Sequence, residues 1–218
     1  MSERGKIKSP QQVFAEIYEN KVWGAADEGA YYSGAGSHDP ALVDAYVGAV
    51  NRLLAAFTRT LDAVDLGCGD FNVGSRLRHL FGGFVACDVV PALVERNRAA
   101  YAGWRVDFRC LDIVHEELPP GDIAFARQVF QHLSNADIQS VVAKLHRYKF
   151  LVATEHLPRG TGFPANVDQP TGAGTRVQSG SGVVLTAAPF ALRPRAERTL
   201  CEVHGYGGVI RTTAYQLR

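Results

Sequence analysis

Hydrophobic residues in the middle of the chain come in short runs that alternate with segments of helical spacing. Between the runs, residues 71–81, 91–101 and 135–146 place apolar side chains three and four positions apart, which predicts helices. Strands and helices that alternate in this way predict an α/β fold, with a mostly parallel, Rossmann-like sheet and helices on both faces. The predicted strands cover residues 60–66, 84–89, 104–113 and 149–156, and a further strand starts at residue 122.

Both ends of the chain depart from this alternation. Apolar spacing predicts helices over about residues 10–20 and 39–57, separated by a glycine-, alanine- and serine-rich stretch from Trp23 to Ser37. Residues 157–182 are predicted to be irregular, and two β-like runs after them predict an antiparallel pair at the sheet edge. We therefore predict one domain over residues 1–218. Its parts are an N-terminal helical segment (1–58), a core (59–156), and an insert with a closing β-hairpin (157–218).

Charge and composition exclude several classes of protein. The chain has 23 lysine and arginine residues against 22 aspartate and glutamate, so no basic stripe predicts a nucleic-acid partner. No apolar run approaches the roughly 20 residues of a membrane helix, and MSERGKIKSP lacks the apolar segment of a signal peptide. The four cysteines have no paired or metal-ligand spacing, which predicts reduced thiols. We therefore expect a cytoplasmic protein without nucleic-acid or membrane partners.

The segment VDLGCGDFNVG, residues 64–74, carries the strongest chemical signal. It follows a predicted strand and opens a predicted helix, at the strand end where open α/β sheets bind ligands. Gly67 and Gly69 have no side chains, so a ligand can approach the backbone closely. Asp65 and Asp70 make the rim of this turn acidic, which favours a cationic ligand group over a pyrophosphate.

Acidic residues also end the next two predicted strands. Asp88 stands where a carboxylate can accept hydrogen bonds from two ribose hydroxyls. Asp112 stands where it can accept a hydrogen bond from the exocyclic amine of adenine, and Leu111 and Ile113 offer apolar surface to the ring. Three acids at the ends of three successive strands therefore predict a site for a ligand that contains adenosine.

The segments DLGCGDF, ACDVV and CLDI resemble the three leading motifs of class I S-adenosylmethionine-dependent methyltransferases. The flanking segments IYENKVWG, YYSGAGS, RQVFQHLSN, TEHLP and IRTTAYQL resemble stretches of a bacterial group of these enzymes. Some members of that group are associated with sugar or polysaccharide modification. The resemblance implies S-adenosylmethionine as cofactor and a seven-stranded sheet whose last strand is antiparallel. The core is thereby expected to bind the cofactor. The glycine- and serine-rich N-terminal segment is expected to be a lid, and the insert, which is too polar to be part of the core, either shapes the acceptor pocket or is an irregular surface loop.

The same resemblance assigns roles at the cofactor. It implies that Gly67 and Gly69 line the methionine portion, Asp88 the ribose, and Asp112 and Ile113 the adenine. Trp23, which has glycine and serine nearby, is expected to close over the ligands, although it also suits a role that only pins the segment to the sheet. The predicted cofactor-binding residues are Trp23, Ser37, Asp65, Gly67, Cys68, Gly69, Phe71, Asp88, Val89, Asp112, Ile113 and Arg127.

Residues that end the fourth and fifth predicted strands are candidates for the chemistry of the acceptor. His132, Glu155 and His156 are the candidate catalytic residues, each with a packing or capping role as the alternative. Methyl transfer mainly requires that donor and acceptor be held in line, and a general base helps only where the acceptor loses a proton. No metal is expected, because these residues have no ligand spacing. The predicted substrate-binding residues are Tyr32, Gln128, His132, His156 and Arg176.

Two other functions are weighed against transfer of a methyl group to a small molecule, such as O- or N-methylation of a sugar or another metabolite. An NAD-dependent oxidoreductase would share the glycine turn and Asp88. However, about sixty residues precede the first strand, and Asn72 stands where a G-x-G-x-x-G turn has its third glycine. A methyltransferase-like binding protein without catalysis is the second alternative, since fold does not guarantee function. The oligomeric state stays open.

Overall fold

A computed structural model describes residues 8–25 and 31–218. Residues 1–7, which begin the segment used to argue against a signal peptide, lie outside the described residues. Residues 26–30, in the middle of the predicted lid stretch, lie outside them as well. The remainder of the N-terminal segment, the core and the insert are all described.

The core of the molecule is a seven-stranded sheet. Its strands are β1 (Ala63–Leu66), β2 (Phe84–Asp88), β3 (Asp107–Cys110), β4 (Ile123–Arg127), β5 (Phe150–Leu157), β6 (Ala196–Gly205) and β7 (Gly208–Gln216). They lie in the order β3-β2-β1-β4-β5-β7-β6. The first five pair in parallel, whereas β7 is antiparallel to both β5 and β6. This arrangement confirms the predicted fold class, including the antiparallel last strand and the hairpin at the sheet edge.

Helices connect the parallel strands and precede them. They are α1 (Pro10–Glu19), α2 (Pro40–Leu54), α3 (Asn72–Leu77), α4 (Pro91–Ala100) and α5 (Asn135–Val142). The hydroxyl of Ser9 caps α1 by accepting a hydrogen bond from the backbone of Gln12, whose side chain accepts one from Ser9 in return. Helix α5 is likewise capped by a serine. Ser134 is this cap, because its backbone is extended and its hydroxyl accepts from the backbone N–H of Asp137.

Two hydrophobic layers cover the two faces of the sheet. On one face, Tyr46 and Val50 of α2 pack with Val94 of α4 against the strands. On the other face, Ile138 and Val141 of α5 pack with residues of the insert. Central strands that are buried on both faces read as continuous apolar runs, which is why β1, β4 and β5 were visible in the sequence.

The insert between β5 and β6 has no strand of its own, yet part of it is buried. The side chain of Asn166 accepts a hydrogen bond from the backbone of Val184 and donates to the carbonyls of Val184 and Ala188. Arg176, in a short 3-10 turn (Arg176–Ser179), is only 1% exposed. The polar composition of the insert suggested a surface position, but these polar groups are buried because they bond to backbone groups.

Candidate functional site

A cavity of about 370 Å³ lies at the carboxyl ends of the parallel strands. This volume is within the range of small-molecule sites, and the position is the one that open α/β sheets use for ligands. The cavity brings together most of the residues that the sequence singled out. They are Trp23, Ser37, Asp65, Gly67, Cys68, Gly69, Asp88, Val89, Asp112, Ile113, Arg127, Gln128, His132 and His156.

The turn between β1 and α3 needs glycine at two positions. Gly67 has a φ of +76°, and a Cβ atom there would lie 2.6 Å from Val129 Cγ2. Gly69 has a φ of +56°, and a Cβ atom there would lie 2.3 Å from the hydroxyl oxygen of Ser33. Both the backbone conformation and the close neighbours therefore exclude a side chain. The backbone of this turn forms one wall of the cavity.

Asp88, at the end of β2, points its carboxylate toward this turn. Its Oδ2 accepts a hydrogen bond from the backbone N–H of Gly69 at 3.0 Å, and its Oδ1 accepts one from Val90 at 3.1 Å. Burial raises the pKa of Asp88 to about 6, while these backbone donors act in the opposite direction. A carboxylate oxygen has two lone pairs, so Asp88 retains acceptor capacity on the cavity side.

Asp112 lies beyond β3 in a tight turn. Its Oδ1 accepts from the backbone N–H of Val114, and its Oδ2 lies 2.8 Å from His115 Nδ1. Leu111 and Ile113, on either side of it, are buried apolar residues that also line the cavity. The end of β3 thus offers an apolar slot with one acidic edge.

The segment before α2 closes over the glycine turn. Asp70 accepts hydrogen bonds from the backbone N–H of Ser33 and from His38 Nε2, at 2.9 and 2.7 Å. Its own backbone N–H donates to the hydroxyl of Ser33 at 2.8 Å. The hydroxyl groups of Ser33 and Tyr18 lie 2.9 Å apart, which connects α1 to the same cluster. Asp70 therefore anchors the N-terminal segment to the turn.

Arg127, at the end of β4, holds the same segment from the other side. Its guanidinium donates to the carbonyl of Gly36 at 2.6 Å and to the hydroxyl of Ser37 at 3.4 Å, and it lies over the ring of Tyr46. Burial lowers the pKa of Arg127, although Tyr46 and then Asp65 raise it. Burial, followed by repulsion from Asp88, raises the pKa of Asp65 to about 7.

The two cavity histidines differ in how their ring nitrogens are used. His132 lies in a 3-10 turn (Phe130–His132), where its Nδ1 is 3.2 Å from the carbonyl of Gly174 and its Nε2 is 3.1 Å from the amide nitrogen of Gln131. Burial lowers the pKa of His132 to about 4, so the ring is neutral. His156, at the end of β5, is 8% exposed, and its Nε2 has no hydrogen-bond partner. Burial lowers the pKa of His156 also, although a backbone hydrogen bond with Gly205 raises it, so His156 presents a neutral ring to the cavity at pH 7.

Four predicted site residues lie outside this cavity. Phe71 is completely buried beneath the glycine turn, edge-on to Phe84 and Phe108, because its left-handed backbone directs the ring into the core. Tyr32 stacks on His38 at the outer side of the N-terminal segment. The remaining two are Glu155, near the end of β5, and Arg176, which belongs to the insert.

Glu155 is 6% exposed and both carboxylate oxygens lack hydrogen-bond partners. Burial raises its pKa well above the usual value, while the nearby Arg176 lowers it. Neighbouring strand residues point to opposite faces of a sheet, so Glu155 points away from the face that carries His156. The guanidinium of Arg176 donates to the carbonyls of Val167 and Leu133 and to the side chain of Asn135. Arg176 therefore supports the wall of the cavity from behind, at the lining residue Leu133.

Sequence reasoning missed several cavity residues. The sequence marks Asp70 only as an acidic neighbour of the glycine turn, and it indicates no role for Gln131. Neither has a signal in the local pattern, because their partners are far away in the chain. Other cavity residues that were not predicted are Tyr18, Ser33, Val129, Tyr206 and Ile210.

Within residues 8–25 and 31–218, no three histidine, cysteine, aspartate or glutamate side chains converge as metal ligands. No helix in the described part of the chain is long and apolar enough to span a membrane. The cysteines in this part of the chain are all free thiols.

Comparison with known proteins agrees with this geometry. Residues 64–148 match a family model described as a methyltransferase domain. This range begins in β1 and continues past α5, so it contains the glycine turn and the acids that end β2 and follow β3. No curated protein sequence matches the chain.

Solved structures match the fold over nearly the whole chain. An S-adenosylmethionine-dependent methyltransferase from Leishmania major has a TM-score of 0.66 at 16% identity, over 95% of this chain and 86% of its own. The N-methyltransferase NodS from Bradyrhizobium japonicum, solved with S-adenosylhomocysteine, has a TM-score of 0.66 at 10% identity, over 94% of this chain and 100% of its own. The [4+2]-cyclase SpnF has a TM-score of 0.59 at 18% identity, over 96% of this chain and 97% of its own. The strand order, the glycine turn and the family match together show that this chain carries a class I S-adenosylmethionine-dependent methyltransferase domain.

Proposed function

We propose that this protein transfers the methyl group of S-adenosylmethionine to an oxygen or nitrogen atom of a small molecule, and that His156 takes up the proton that the acceptor loses. The observation that carries the proposal is that His156 lines the cavity while its buried Nε2 atom has no hydrogen-bond partner. A buried polar atom without a partner is uncommon in a folded protein. An acceptor hydroxyl or amine that donates to this atom would satisfy it.

The described residues fit the cofactor at both ends of the cavity. Asp88 keeps acceptor capacity for the ribose hydroxyls, and the apolar slot beside Asp112 suits adenine. The methionine portion would lie along the backbone of Gly67 and Gly69, which forms one wall of the cavity. The half-buried carboxylate of Asp65 is the acidic group that would face the amino group at that end.

The chemistry needs few groups from the protein. When bound, S-adenosylmethionine supplies a methyl group that is already activated by the positive sulfur atom. The chain must hold the acceptor in line with that group, an effect worth about 7–11 kcal/mol in well-oriented systems. His156 serves this step because its neutral Nε2 can accept a proton at pH 7. His132 does not suit the same role, since its Nε2 is already bonded to Gln131.

A small acceptor is favoured by the way the cavity is closed. The indole nitrogen of Trp23 donates to the carbonyl of Ala173 at 3.3 Å, so the N-terminal segment meets the insert across the cavity. The lining beside His156 is mainly apolar and includes Ile210 and Tyr206 of the β6–β7 hairpin. Such a site suits a sugar or another metabolite, and the N-methyltransferase activity named for NodS supports transfer to a nitrogen atom.

The test measures how much label passes from methyl-labelled S-adenosylmethionine into pooled metabolite fractions. It compares three proteins: the wild type, His156→Gln and the control His79→Gln. His79 is an exposed histidine outside the cavity. We expect labelled small molecules with the wild type and the control, and a loss of about 10²–10⁴-fold with His156→Gln, the usual contribution of a general base. Equal transfer by His156→Gln would refute the role of His156, and label only in protein or nucleic acid would refute the small-molecule acceptor.

A further inference from the structure

The side chain of Gln131 lies between the two cavity histidines and is 4% exposed. The backbone N–H of His156 donates to its Oε1 at 3.0 Å, and its Nε2 lies 3.1 Å from His132 Nε2. A backbone N–H can only donate, so the amide oxygen of Gln131 must face His156. The amide NH₂ group must then face His132, and an NH₂ group can only donate.

The tautomer of His132 follows from these two bonds. Its Nε2 must accept the hydrogen bond from Gln131, so in the neutral ring the proton is on Nδ1. The atom opposite Nδ1 is the carbonyl oxygen of Gly174, at 3.2 Å, which can only accept. In all three hydrogen bonds the donor therefore lies on the same side, so the chain of donors runs from the backbone of His156 through Gln131 and His132 to the carbonyl of Gly174 in the insert.

The chain of contacts continues to the lid. The ring of Trp23 packs against the ring of His132 with 4.9 Å between centroids, and its indole N–H donates to Ala173, next to Gly174. The backbone of Gly172 also donates to the carbonyl of His132 at 2.9 Å. His132 is thus the point where the insert and the N-terminal segment both attach to the end of the sheet.

We infer that Gln131 is a positioning residue that holds His132 as the neutral Nδ1–H tautomer, so that His132 anchors the insert and Trp23 while the Nε2 atom of His156 stays without a hydrogen-bond partner. Two further observations agree with this assignment. Burial lowers the pKa of His132 to about 4, and the positive charge of Arg176 acts in the same direction. The insert also holds Gln131 in place, because the backbone carbonyl of Gln131 accepts a hydrogen bond from the side chain of Gln169 at 2.7 Å.

The tautomer is tested directly on the full chain labelled with ¹⁵N, by long-range ¹H–¹⁵N correlation spectra of the histidine rings. His132 is assigned from the signals that disappear in His132→Asn. We expect Nδ1 of His132 to carry the proton at pH 7 in the wild type, a result that needs no other variant. In Gln131→Met the Nε2 signal should shift because its donor is lost, whereas Gln139→Met, at an exposed glutamine of α5, should leave it unchanged. An Nε2–H tautomer in the wild type, or an unchanged Nε2 signal in Gln131→Met, would overturn the inference.

A kinetic measurement separates positioning from packing, and it rests on the proposed function. With a methylated acceptor in hand, Gln131→Met should lower kcat about tenfold, the equivalent of one hydrogen bond lost, with the affinity for S-adenosylhomocysteine unchanged. An unchanged kcat would overturn the positioning role even if the tautomer is as expected. If the wild type methylates no acceptor, the proposed function fails, while the spectra still decide the tautomer.

Discussion

Replacing Gly69 by alanine tests whether the N-terminal segment is held on the glycine turn as the structure shows. The new Cβ atom would lie 2.3 Å from the hydroxyl oxygen of Ser33 and 3.0 Å from its Cβ. Ser33 must therefore move, and it would lose its hydrogen bonds with Asp70 and Tyr18. At about 0.5–1.5 kcal/mol each, two such bonds contribute roughly 1–3 kcal/mol.

The left-handed backbone adds a second cost. A φ of +56° at Gly69 disfavours alanine by roughly 1–2 kcal/mol. We therefore expect Gly69→Ala to lower the free energy of unfolding by about 2–5 kcal/mol. The affinity for S-adenosylhomocysteine should fall at least about tenfold, since the displaced segment lines the cavity.

Gly103→Ala is the matched control. Gly103 has a φ of +85°, and its Cβ atom would have no neighbour within 4 Å, so this variant carries only the backbone cost. Urea unfolding gives the stability of both variants, and calorimetric titration gives the affinity for S-adenosylhomocysteine. Equal destabilisation of the two variants, with unchanged affinity in Gly69→Ala, would refute the reasoning.

Three further predictions concern titratable side chains in the cavity. Asp88→Asn should weaken binding of S-adenosylhomocysteine by roughly 10–100-fold in calorimetry, because a hydrogen bond to a charged group contributes about 1.5–3 kcal/mol, while Asp107→Asn, outside the cavity, should not. Burial lowers the pKa of His156, so kcat/KM should fall in acid with a midpoint below 6.5 and stay level above pH 7; a midpoint above 6.5 would exclude His156 as the base. Burial raises the pKa of Asp65 to about 7, so the stability that its protonated form contributes is lost as pH rises from about 4, the usual pKa of aspartate, through 7. Asp65→Asn should therefore raise Tm relative to the wild type by more at pH 8 than at pH 5, and a larger gain at pH 5 would contradict this.

The parts of the fold that sequence reasoning predicted have local causes. The runs that became β1 and β5 were visible because a strand buried on both faces is apolar at every position. The glycine turn was visible because its backbone demands residues without side chains, and Asp88 because it directly ends an apolar run. Two β-like runs predicted the closing antiparallel pair, whereas the seven-stranded sheet with its last strand antiparallel was implied by resemblance to a family.

What could not be predicted depends on contacts between distant parts of the chain. The sequence predicts a strand over residues 104–113, but β3 covers only Asp107–Cys110, since the next residues turn to place Asp112. Glu155 and His156 are neighbours in sequence and looked equivalent, yet the alternation of strand residues puts only His156 in the cavity. The burial of Arg176 follows from backbone carbonyls of several segments, and composition alone does not indicate it.

The alternatives to methyl transfer differ in what they predict for ligands. An oxidoreductase would need to place a pyrophosphate against the turn, where Asp65, Asp70 and Asp88 lie close together. The fold by itself does not decide between transfer and another reaction, because the [4+2]-cyclase SpnF shares it. The residues that face the acceptor, above all His156, are what the enzymatic proposal adds to the fold.

The most direct test of the cofactor assignment is calorimetric titration of the wild-type protein with S-adenosylmethionine, S-adenosylhomocysteine and NAD under identical conditions. We expect both adenosyl ligands to bind with dissociation constants on the order of 1 μM, which corresponds to a binding free energy of about −8 kcal/mol. NAD should not bind measurably. Binding of NAD without binding of either adenosyl ligand would contradict the account.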